Sequence, residues 1–313
     1  MRLGGARHLG IWAIATTAAA CGSDPQPTGK PSSPAASTGK PSGSSTSGLT
    51  YERIIEGSWT LGPGSENPNF CVQKPLTEDV YIHAIRPVHP PGTHHTLLTV
   101  GTDQQECITA VASGFVYAAG LGSEGLVLPD GVALKLPAGK VLNLGLHIFN
   151  TGTTEVSGTS AMEVVTMDPK DVVYESDSVL AGPIGFTLPA HQETKITDTC
   201  QLTADQSVYA LFPHMHQLGT HIKTTVNIGG VPMVLHDGDY QFNEQFQIPI
   251  EPTLKLSAGD SVDTECTYDN TTDRDATFGE SSNNEMCFSV LFRYPKQQLG
   301  LCFGSAAGAG TPL

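Results

Sequence analysis

Short apolar segments separated by turn residues are the feature that most restricts how this chain can fold. Between clusters of Gly, Pro, Asn and Asp lie runs such as HTLLTVGT, GVALKLPAG, KVLNLGLHIFN and CFSVLFRYP. Runs of this length and composition are typical of strands, and long stretches with apolar residues at helical spacing are absent from the sequence. The pairs Gly229-Gly230 and Asp237-Gly238 are predicted hairpin turns. We therefore predict an all-β protein built of sandwiches.

A short sequence pattern occurs twice in the chain. LKLPAG at residues 134–139 returns as LKLSAG at residues 254–259, and the same offset of 120 residues places His94 on His214. Two related sandwich domains would explain such a repeat. The segment SVLAGPIGF has the composition of a connector. We therefore predict domains at residues 51–181 and 182–303.

The start of the chain has the features of an export signal. Arg2 and Arg7 precede an apolar run that extends from Leu9 to Ala20 and is shorter than the roughly 20 residues that span a bilayer. The run ends at Cys21, so residues 1–20 resemble a bacterial lipoprotein signal that leaves Cys21 lipidated. Ordinary cleavage after Ala20 is the alternative. We expect an exported protein of the bacterial cell envelope, anchored by lipid on the periplasmic or cell-surface side.

The segment after the signal is poor in apolar side chains and rich in Ser, Pro, Gly and Thr. Such a composition buries too little surface to offset chain entropy, so we expect residues 21–50 to form a flexible tether. Residues 304–313 are expected to be a loose tail.

The charge balance restricts the partners. The chain has 16 basic and 31 acidic side chains, and its formal net charge is −15. Because each contact to a phosphate needs a Lys or Arg, we expect no binding to nucleic acid.

Seven cysteines support export. If Cys21 carries lipid, six remain, and in an oxidising compartment they would form three disulfides. Six cysteines allow 15 pairings, so the spacing alone leaves the connectivity open. A C-x-x-C arrangement, which would indicate zinc or redox chemistry, is absent from the sequence.

Histidines carry the chemistry that the sequence suggests. His94 and His95 are adjacent at the start of a predicted strand, and His147 lies inside another apolar run. His214 and His216 can share one ion because residues i and i+2 of a strand point to the same face. Imidazole binds Zn, Cu, Fe and Ni, whereas a thioether selects Cu(I), so Met286 beside two histidines would indicate copper. Other histidines, His83 and His89 among them, are expected in loops or on the surface.

Together these residues form an ordered set of motifs. The set is THHTLL (93–98), LGLHIFN (144–150), FPHMHQLG (212–219) and NNEMCFSVLFRY (283–294). It resembles the copper type II, ascorbate-dependent monooxygenases over residues 70–303. The resemblance implies two tandem jelly-roll-like antiparallel β-sandwich domains with one copper ion each. It also implies the disulfides Cys71–Cys107, Cys200–Cys302 and Cys266–Cys287.

The same resemblance assigns the ligands. His94, His95 and His147 would bind the electron-transfer copper. His214, His216 and Met286 would bind the oxygen-activating copper and form the catalytic site. Ascorbate or another one-electron donor would reduce both ions, and a C–H bond of the substrate would be hydroxylated with O2.

This sequence departs from the peptide-hydroxylating members of the family at the substrate site. Phe212 stands where those members carry an Arg that grips a carboxylate, and Phe288 and Val290 replace an Asn and a Tyr. Gly145 and Thr96 replace a Gln and a Met near the first site. Because the carboxylate clamp is missing, we expect a small apolar or aromatic substrate held by Phe212, Phe288 and Val290.

Two rival functions stay open at this point. A copper-binding lipoprotein for storage or delivery would keep the ligands without catalysis. A structural or adhesive lipoprotein on the same fold would bind no copper tightly. A zinc hydrolase is a weaker alternative because a carboxylate base does not accompany the histidine motifs and Met is a poor zinc ligand.

Overall fold

The computed structural model describes residues 48–102, 114–279, 281, 283–297, 300–304 and 311–312. The predicted signal segment, Cys21, Cys107, most of the predicted tether and most of the predicted tail lie outside the described residues. The expectations for them stay predictions.

The described chain is almost entirely β-structure, as predicted, with a 3-10 turn at Pro169–Asp171. In chain order the strands are β1 (Glu52–Leu61), β2 (Glu66–Pro75), β3 (Val80–Val88), β4 (Thr93–Gly101), β5 (Phe115–Ala119), β6 (Leu126–Val127), β7 (Val132–Leu136), β8 (Val141–Phe149), β9 (Val156–Thr166), β10 (Tyr174–Ala181), β11 (Thr187–Leu188), β12 (Gln192–Gln201), β13 (Gln206–Met215), β14 (Gly219–Ile228), β15 (Val231–Asp239), β16 (Ile248–Leu256), β17 (Ser261–Asn270), β18 (Ala276–Thr277), β19 (Cys287–Tyr294), β20 (Leu301–Cys302) and β21 (Thr311–Pro312).

The two halves of the chain repeat one strand arrangement. In the first half the sheet orders are β1-β9-β3-β7 and β2-β8-β4-β5, and in the second half they are β10-β19-β13-β16 and β12-β17-β14-β15. Each main strand of the first half therefore has a counterpart with equivalent neighbours in the second. Eight strands in two antiparallel sheets are the arrangement of a jelly roll, so the fold matches the predicted tandem sandwiches.

The repeated hexapeptide occupies the same place in both halves. Each copy ends one strand and turns into the next, β7 into β8 and β16 into β17. In the first copy Ala138 N–H donates to the Asp79 carboxylate, and in the second Ala258 N–H donates to that of Asp205, at 2.8 and 2.9 Å. The correspondence does not extend to the histidines. His94 lies on β4, whose counterpart is β14, whereas His214 lies on β13.

The halves share one continuous sheet. Strand β10 pairs in parallel with β7 and antiparallel with β19, so the order runs β1-β9-β3-β7-β10-β19-β13-β16. One cluster of buried apolar side chains contains Ile85 and Leu144 of the first half and Phe292 of the second. Residues 41–313 form one compact unit. The predicted boundary between residues 181 and 182 stays a prediction.

One predicted turn is confirmed and one is wrong. Gly229 and Gly230, with φ of 57° and 84°, connect β14 to β15. Both angles lie in the left-handed region that favours glycine. Asp237 and Gly238 instead lie inside β15, paired with Lys223 and Ile222, because the hairpin already turns at the two glycines.

Disulfides tie the two sheets of the second sandwich together. Cys200–Cys302 joins β12 to β20, and Cys266–Cys287 joins β17 to β19, as the family resemblance implied. Cys71 also takes part in a disulfide, and its predicted partner Cys107 lies outside the described residues. Within the described part of the chain, no helix has the length and apolarity to cross a membrane.

Candidate metal centres

The first histidine cluster is built on two neighbouring strands. β4 and β8 pair antiparallel, with His95 opposite His147, and the register shifts between Thr93 and His95. Adjacent residues of a regular strand point to opposite faces. The shift is the backbone irregularity that lets His94 and His95 reach the same place.

The three rings of this cluster meet closely. One ring nitrogen from each of His94, His95 and His147 lies within 4.8 Å of the others. The Nδ1 atoms of His94 and His147 are 3.4 Å apart. The structure thus brings all three predicted ligands of the first site together.

Hydrogen bonds on the outer side of each ring determine which nitrogen holds the proton. Nε2 of His94 contacts Oδ1 of Asn243 at 2.5 Å, Nε2 of His95 contacts the carbonyl of Phe242 at 2.7 Å, and Nε2 of His147 contacts Oε1 of Glu66 at 2.6 Å. A carbonyl or carboxylate oxygen can only accept. Each Nε2 therefore carries the proton and donates, and in a neutral ring Nδ1 then keeps a lone pair.

This arrangement fits a metal ion. The Nδ1 atoms of His94 and His147 face each other at 3.4 Å, so two neutral rings in this position would need a cation between them. Burial is the main cause that lowers the pKa of His94 and lowers that of His95 to about 3. Both rings are therefore neutral at neutral pH, the state in which imidazole binds a metal.

The second cluster lies at the end of a strand pair in the other half. His214 is on β13 and His216 follows its last residue, and the two ring centroids are 5.2 Å apart. Met215 pairs with Cys287 across β13 and β19. Because Met286 directly precedes Cys287, His216 and Met286 leave the strand pair at the same end. The three predicted ligands of the second site are thus gathered at one edge.

The proton positions in the second cluster are the reverse of those in the first. Nδ1 of His214 donates to Oε1 of Gln245 at 2.8 Å, and Nδ1 of His216 donates to the carbonyl of Asn284 at 2.9 Å. The Nε2 atoms therefore keep the lone pairs. Burial lowers the pKa of His214 to about 3, so this ring is also a neutral potential ligand.

Glu285 holds the second cluster together, and sequence reasoning missed it. Its carboxylate accepts from the backbone N–H of His216 at 3.0 Å and of Leu218 at 2.7 Å. Burial raises its pKa to about 7, although these backbone donors lower it. Its position beside Met286 in the NNEMCF motif was the available signal.

A segment of the second half connects the two clusters. Residues 240–247 link β15 to β16, and we call them the bridging segment. The ring of Phe242 lies 4.5 Å from that of His95 and 6.0 Å from that of His216, measured between centroids. Its contacts join residues far apart in sequence, so the sequence contained no signal for it.

The predicted substrate residues lie in the protein interior. Phe212, Phe288 and Val290 are each 2% exposed and belong to the apolar cluster shared by the two halves. The ring of Phe212 stacks on that of His214 at 5.7 Å between centroids. Their assignment to a substrate pocket stays a prediction.

Of the two histidines expected in loops, one is placed differently and the other is as predicted. His83 lies on β3, and His89 directly follows that strand. Nε2 of His89 is 3.0 Å from the hydroxyl of Thr96, beside the first cluster. Burial lowers the pKa of His89 to about 4. The loop expectation was wrong for His83 because the strand extends through the Pro-containing segment.

Comparison with known proteins supports a family assignment. Residues 178–309 match the family model described as "Copper type II ascorbate-dependent monooxygenase, C-terminal domain". "Putative DBH-like monooxygenase protein 2" of Homo sapiens is 26% identical over 215 residues, covering 62% of this chain and 43% of that protein. "DBH-like monooxygenase protein 1" of Mus musculus is 32% identical over 214 residues, covering 60% and 34% respectively.

A third relative and a solved structure complete the comparison. "Dopamine beta-hydroxylase" of Canis lupus familiaris is 28% identical over 160 residues, covering 50% of this chain and 24% of that protein. The aligned part of this chain thus spans less than half the length of each of these relatives. A cryo-EM structure of Broad Bean Stain Virus aligns with a TM-score of 0.34 and 10% identity, which is too distant to bear on function. The matched residues and these relatives support the copper type II, ascorbate-dependent monooxygenase family for this chain.

Proposed function

We propose that this protein is a copper-dependent monooxygenase that hydroxylates a C–H bond of a small molecule with O2 and a one-electron reductant such as ascorbate. The observation that carries the proposal is the convergence of three imidazole nitrogens in the first cluster, with His214, His216 and Met286 at the same end of the β13–β19 pair in the second. Nitrogen and thioether donors without a carboxylate ligand favour copper over zinc. Two copper ions per chain follow from the two donor sets.

The residues of the two clusters have distinct tasks. Copper, when bound, would supply the one-electron and oxygen chemistry that protein side chains lack. His94, His95 and His147 would present Nδ1 and keep their protons on Nε2. His214 and His216 would present Nε2, and the Met286 sulfur would favour the reduced ion.

Outer contacts keep these donors in place. Glu66 accepts from His147, and a carboxylate on a ligand imidazole raises the basicity of the ring. Glu285 fixes the backbone after His216 through two hydrogen bonds. Tyr268 donates its hydroxyl to the Met286 carbonyl at 2.7 Å. These contacts orient the donors before a metal arrives, so little reorganisation accompanies changes of copper oxidation state.

The substrate that we propose is apolar or aromatic. Phe212 stacks on His214 where peptide-hydroxylating relatives would present a cation, and its ring offers no partner to a carboxylate. Phe288 and Val290 add further apolar surface on the neighbouring strand. A phenyl or alkyl group next to the second cluster would gain contact without leaving an unpaired charge.

We further propose export to the bacterial cell envelope and anchoring through Cys21. The apolar run that ends at Cys21 and the disulfides of the second sandwich support this location, because disulfides persist in oxidising compartments. Mass spectrometry of the membrane fraction tests the anchor. A Cys21→Ala variant should lose the lipid mass and leave the membrane, and retention of that variant would contradict the proposal.

Copper stoichiometry tests the metal sites. The wild type should retain two copper ions per chain after loading and removal of excess metal. Met286→Ala should weaken one of the two sites, whereas Met233→Ala, a change at an exposed methionine of β15, should weaken neither. One ion or none in the wild type, or equal behaviour of the two variants, would contradict the paired-copper proposal.

A copper storage or delivery protein is the second candidate. The burial of Phe212, Phe288 and Val290 favours it, because an enzyme needs access to its substrate site. Oxygen consumption with ascorbate and a panel of aromatic and aliphatic substrates separates the two candidates. Product that contains one atom of labelled O2 supports the enzyme, and copper binding without product supports storage.

A further inference from the structure

Two of the three outer partners of the first cluster come from the other half of the chain. Oδ1 of Asn243 accepts from His94, and the carbonyl of Phe242 accepts from His95. Both acceptors lie in the bridging segment, which follows β15 of the second sandwich. The tautomers that expose Nδ1 of His94 and His95 are therefore set by the second half.

The bridging segment is fixed on the first sandwich by hydrogen bonds beyond the histidines. Gly120 N–H donates to the carbonyl of Gln245 at 2.9 Å, and Leu121 N–H donates to that of Asn243 at 3.0 Å. The Gln247 amide donates to the carbonyl of Ala118 at 2.6 Å. This docking along the end of β5 holds Asn243 and Gln245 in place independently of any metal ion.

Gln245 contacts both clusters at once. Its Oε1 accepts from Nδ1 of His214, and its Nε2 donates to the carbonyl of Phe242 at 2.9 Å. Nε2 of Gln245 also lies 3.2 Å from Nε2 of His95. The Phe242 carbonyl can only accept, and it lies 2.7 Å from Nε2 of His95, nearer than the Gln245 nitrogen does. Nε2 of His95 and Nε2 of Gln245 therefore both donate to this one oxygen. The side chain thus joins His214 to the carbonyl that orients His95.

We propose that the bridging segment is a shared scaffold for both metal sites, with Asn243 positioning the first site and Gln245 positioning both. The inference rests on the proposed copper function and deepens it. It means that the first site is incomplete without residues of the second half. Loss of the outer partner of a ligand histidine typically lowers metal affinity by about 10–100-fold.

The effects of substitution should be selective. Asn243→Leu removes the acceptor of His94 alone, so it should weaken copper at the first site by about 10-fold or more and leave the second unchanged. Gln245→Leu removes the acceptor of His214 and a neighbour of His95, so it should weaken both sites. Asn243→Asp keeps an acceptor and should restore most of the affinity at the first site. Asn69→Leu, at an exposed position of β2, is the matched control.

Affinity at each site can be measured separately in the full-length protein. In a His147→Ala background only the second site should bind copper, and in a His214→Ala background only the first. Competition with a chromophoric chelator then gives the copper affinity of the remaining site. If Asn243→Leu has the affinity of the control in the background that keeps the first site, the proposal is overturned.

A metal-free measurement separates failure of this inference from failure of the proposed function. Long-range ¹⁵N–¹H spectra of the apoprotein report which ring nitrogen holds the proton. His94 should be protonated on Nε2 in the wild type and in Asn243→Asp, and should populate both tautomers in Asn243→Leu. An unchanged His94 tautomer in Asn243→Leu would overturn the inference even if copper binds. Absence of copper binding by a wild type with the expected tautomers would overturn the proposed function alone.

Discussion

The Cys266–Cys287 disulfide should support the second metal site more than it supports overall stability. Both sulfurs are fully buried, and Cys287 directly follows Met286 at the start of β19. The bond joins this start to β17 in the opposite sheet. The double variant Cys266→Ala/Cys287→Ala should therefore free the backbone that carries the Met286 sulfur.

The separation of the bonded cysteines in the chain gives the expected cost in stability. The Cys266–Cys287 bond spans 21 residues, and loop-closure entropy for such a span stabilises the folded state by about 3 kcal/mol. The Cys200–Cys302 bond spans 102 residues and should contribute about 5 kcal/mol. Cys200 and Cys302 are remote from Met286 in the chain. Cys200 pairs with Val262 of β17, and Cys302 pairs with Ala181 of β10.

The two double variants should thus rank in opposite orders in two assays. In denaturant unfolding, the Cys200→Ala/Cys302→Ala protein should lose more free energy of unfolding. In chelator competition, the Cys266→Ala/Cys287→Ala protein should lose more copper affinity at the second site, by about 10-fold or more. If copper affinity follows stability in both variants, the disulfide does not position Met286 and the reasoning is refuted.

Three further changes test other parts of the structure. Burial lowers the pKa of His89 to about 4, so between about pH 4 and 6.5 the unfolded chain binds more protons than the folded chain. The apoprotein should therefore lose up to about 3 kcal/mol of stability as the pH falls through this window. His89→Gln should flatten that slope in unfolding titrations, and an unchanged slope would contradict the assignment. Gly92→Ala should destabilise the fold by about 1–3 kcal/mol in thermal unfolding, since φ is +100° and the new Cβ would lie 2.6 Å from the Trp59 ring; a neutral effect would show that the ring can move. Tyr268→Phe should lower the free energy of unfolding by about 1 kcal/mol. It should also broaden the electron paramagnetic resonance signal of copper at the second site, because the hydroxyl no longer holds the Met286 carbonyl. A spectrum like that of the wild type would show that this hydrogen bond does not position the second site.

The strand pattern and the repeated hexapeptide predicted the fold because they depend on local sequence. LKLPAG and LKLSAG end equivalent strands, and each turn is held by an aspartate that the repeat itself does not contain. The offset that placed His94 on His214 misled because the strands before the hexapeptide are spaced differently in the two halves. Spacing along the chain is a reliable guide only as far as the connections keep equal length.

The hydrogen bonds on the outer side of the histidine rings could not be predicted from the sequence. Asn243 and Gln245 lie 149 and 150 residues from the first-cluster histidines they contact, and a segment with this composition looks like an ordinary polar loop. Adjacent His94 and His95 could be predicted to bind the same metal ion only if the backbone bends at this point of the strand. The register shift before His95 supplies that bend.

The non-equivalent placement of the two clusters has a consequence for ancestry. The first cluster uses β4 and β8, whose counterparts are β14 and β17, whereas the second uses β13 and the start of β19. If duplication of one sandwich had also duplicated one metal site, the ligands would lie on equivalent strands. Duplication of the sandwich alone therefore does not account for both sites, because the ligands of each site lie on strands that the other half does not use for one.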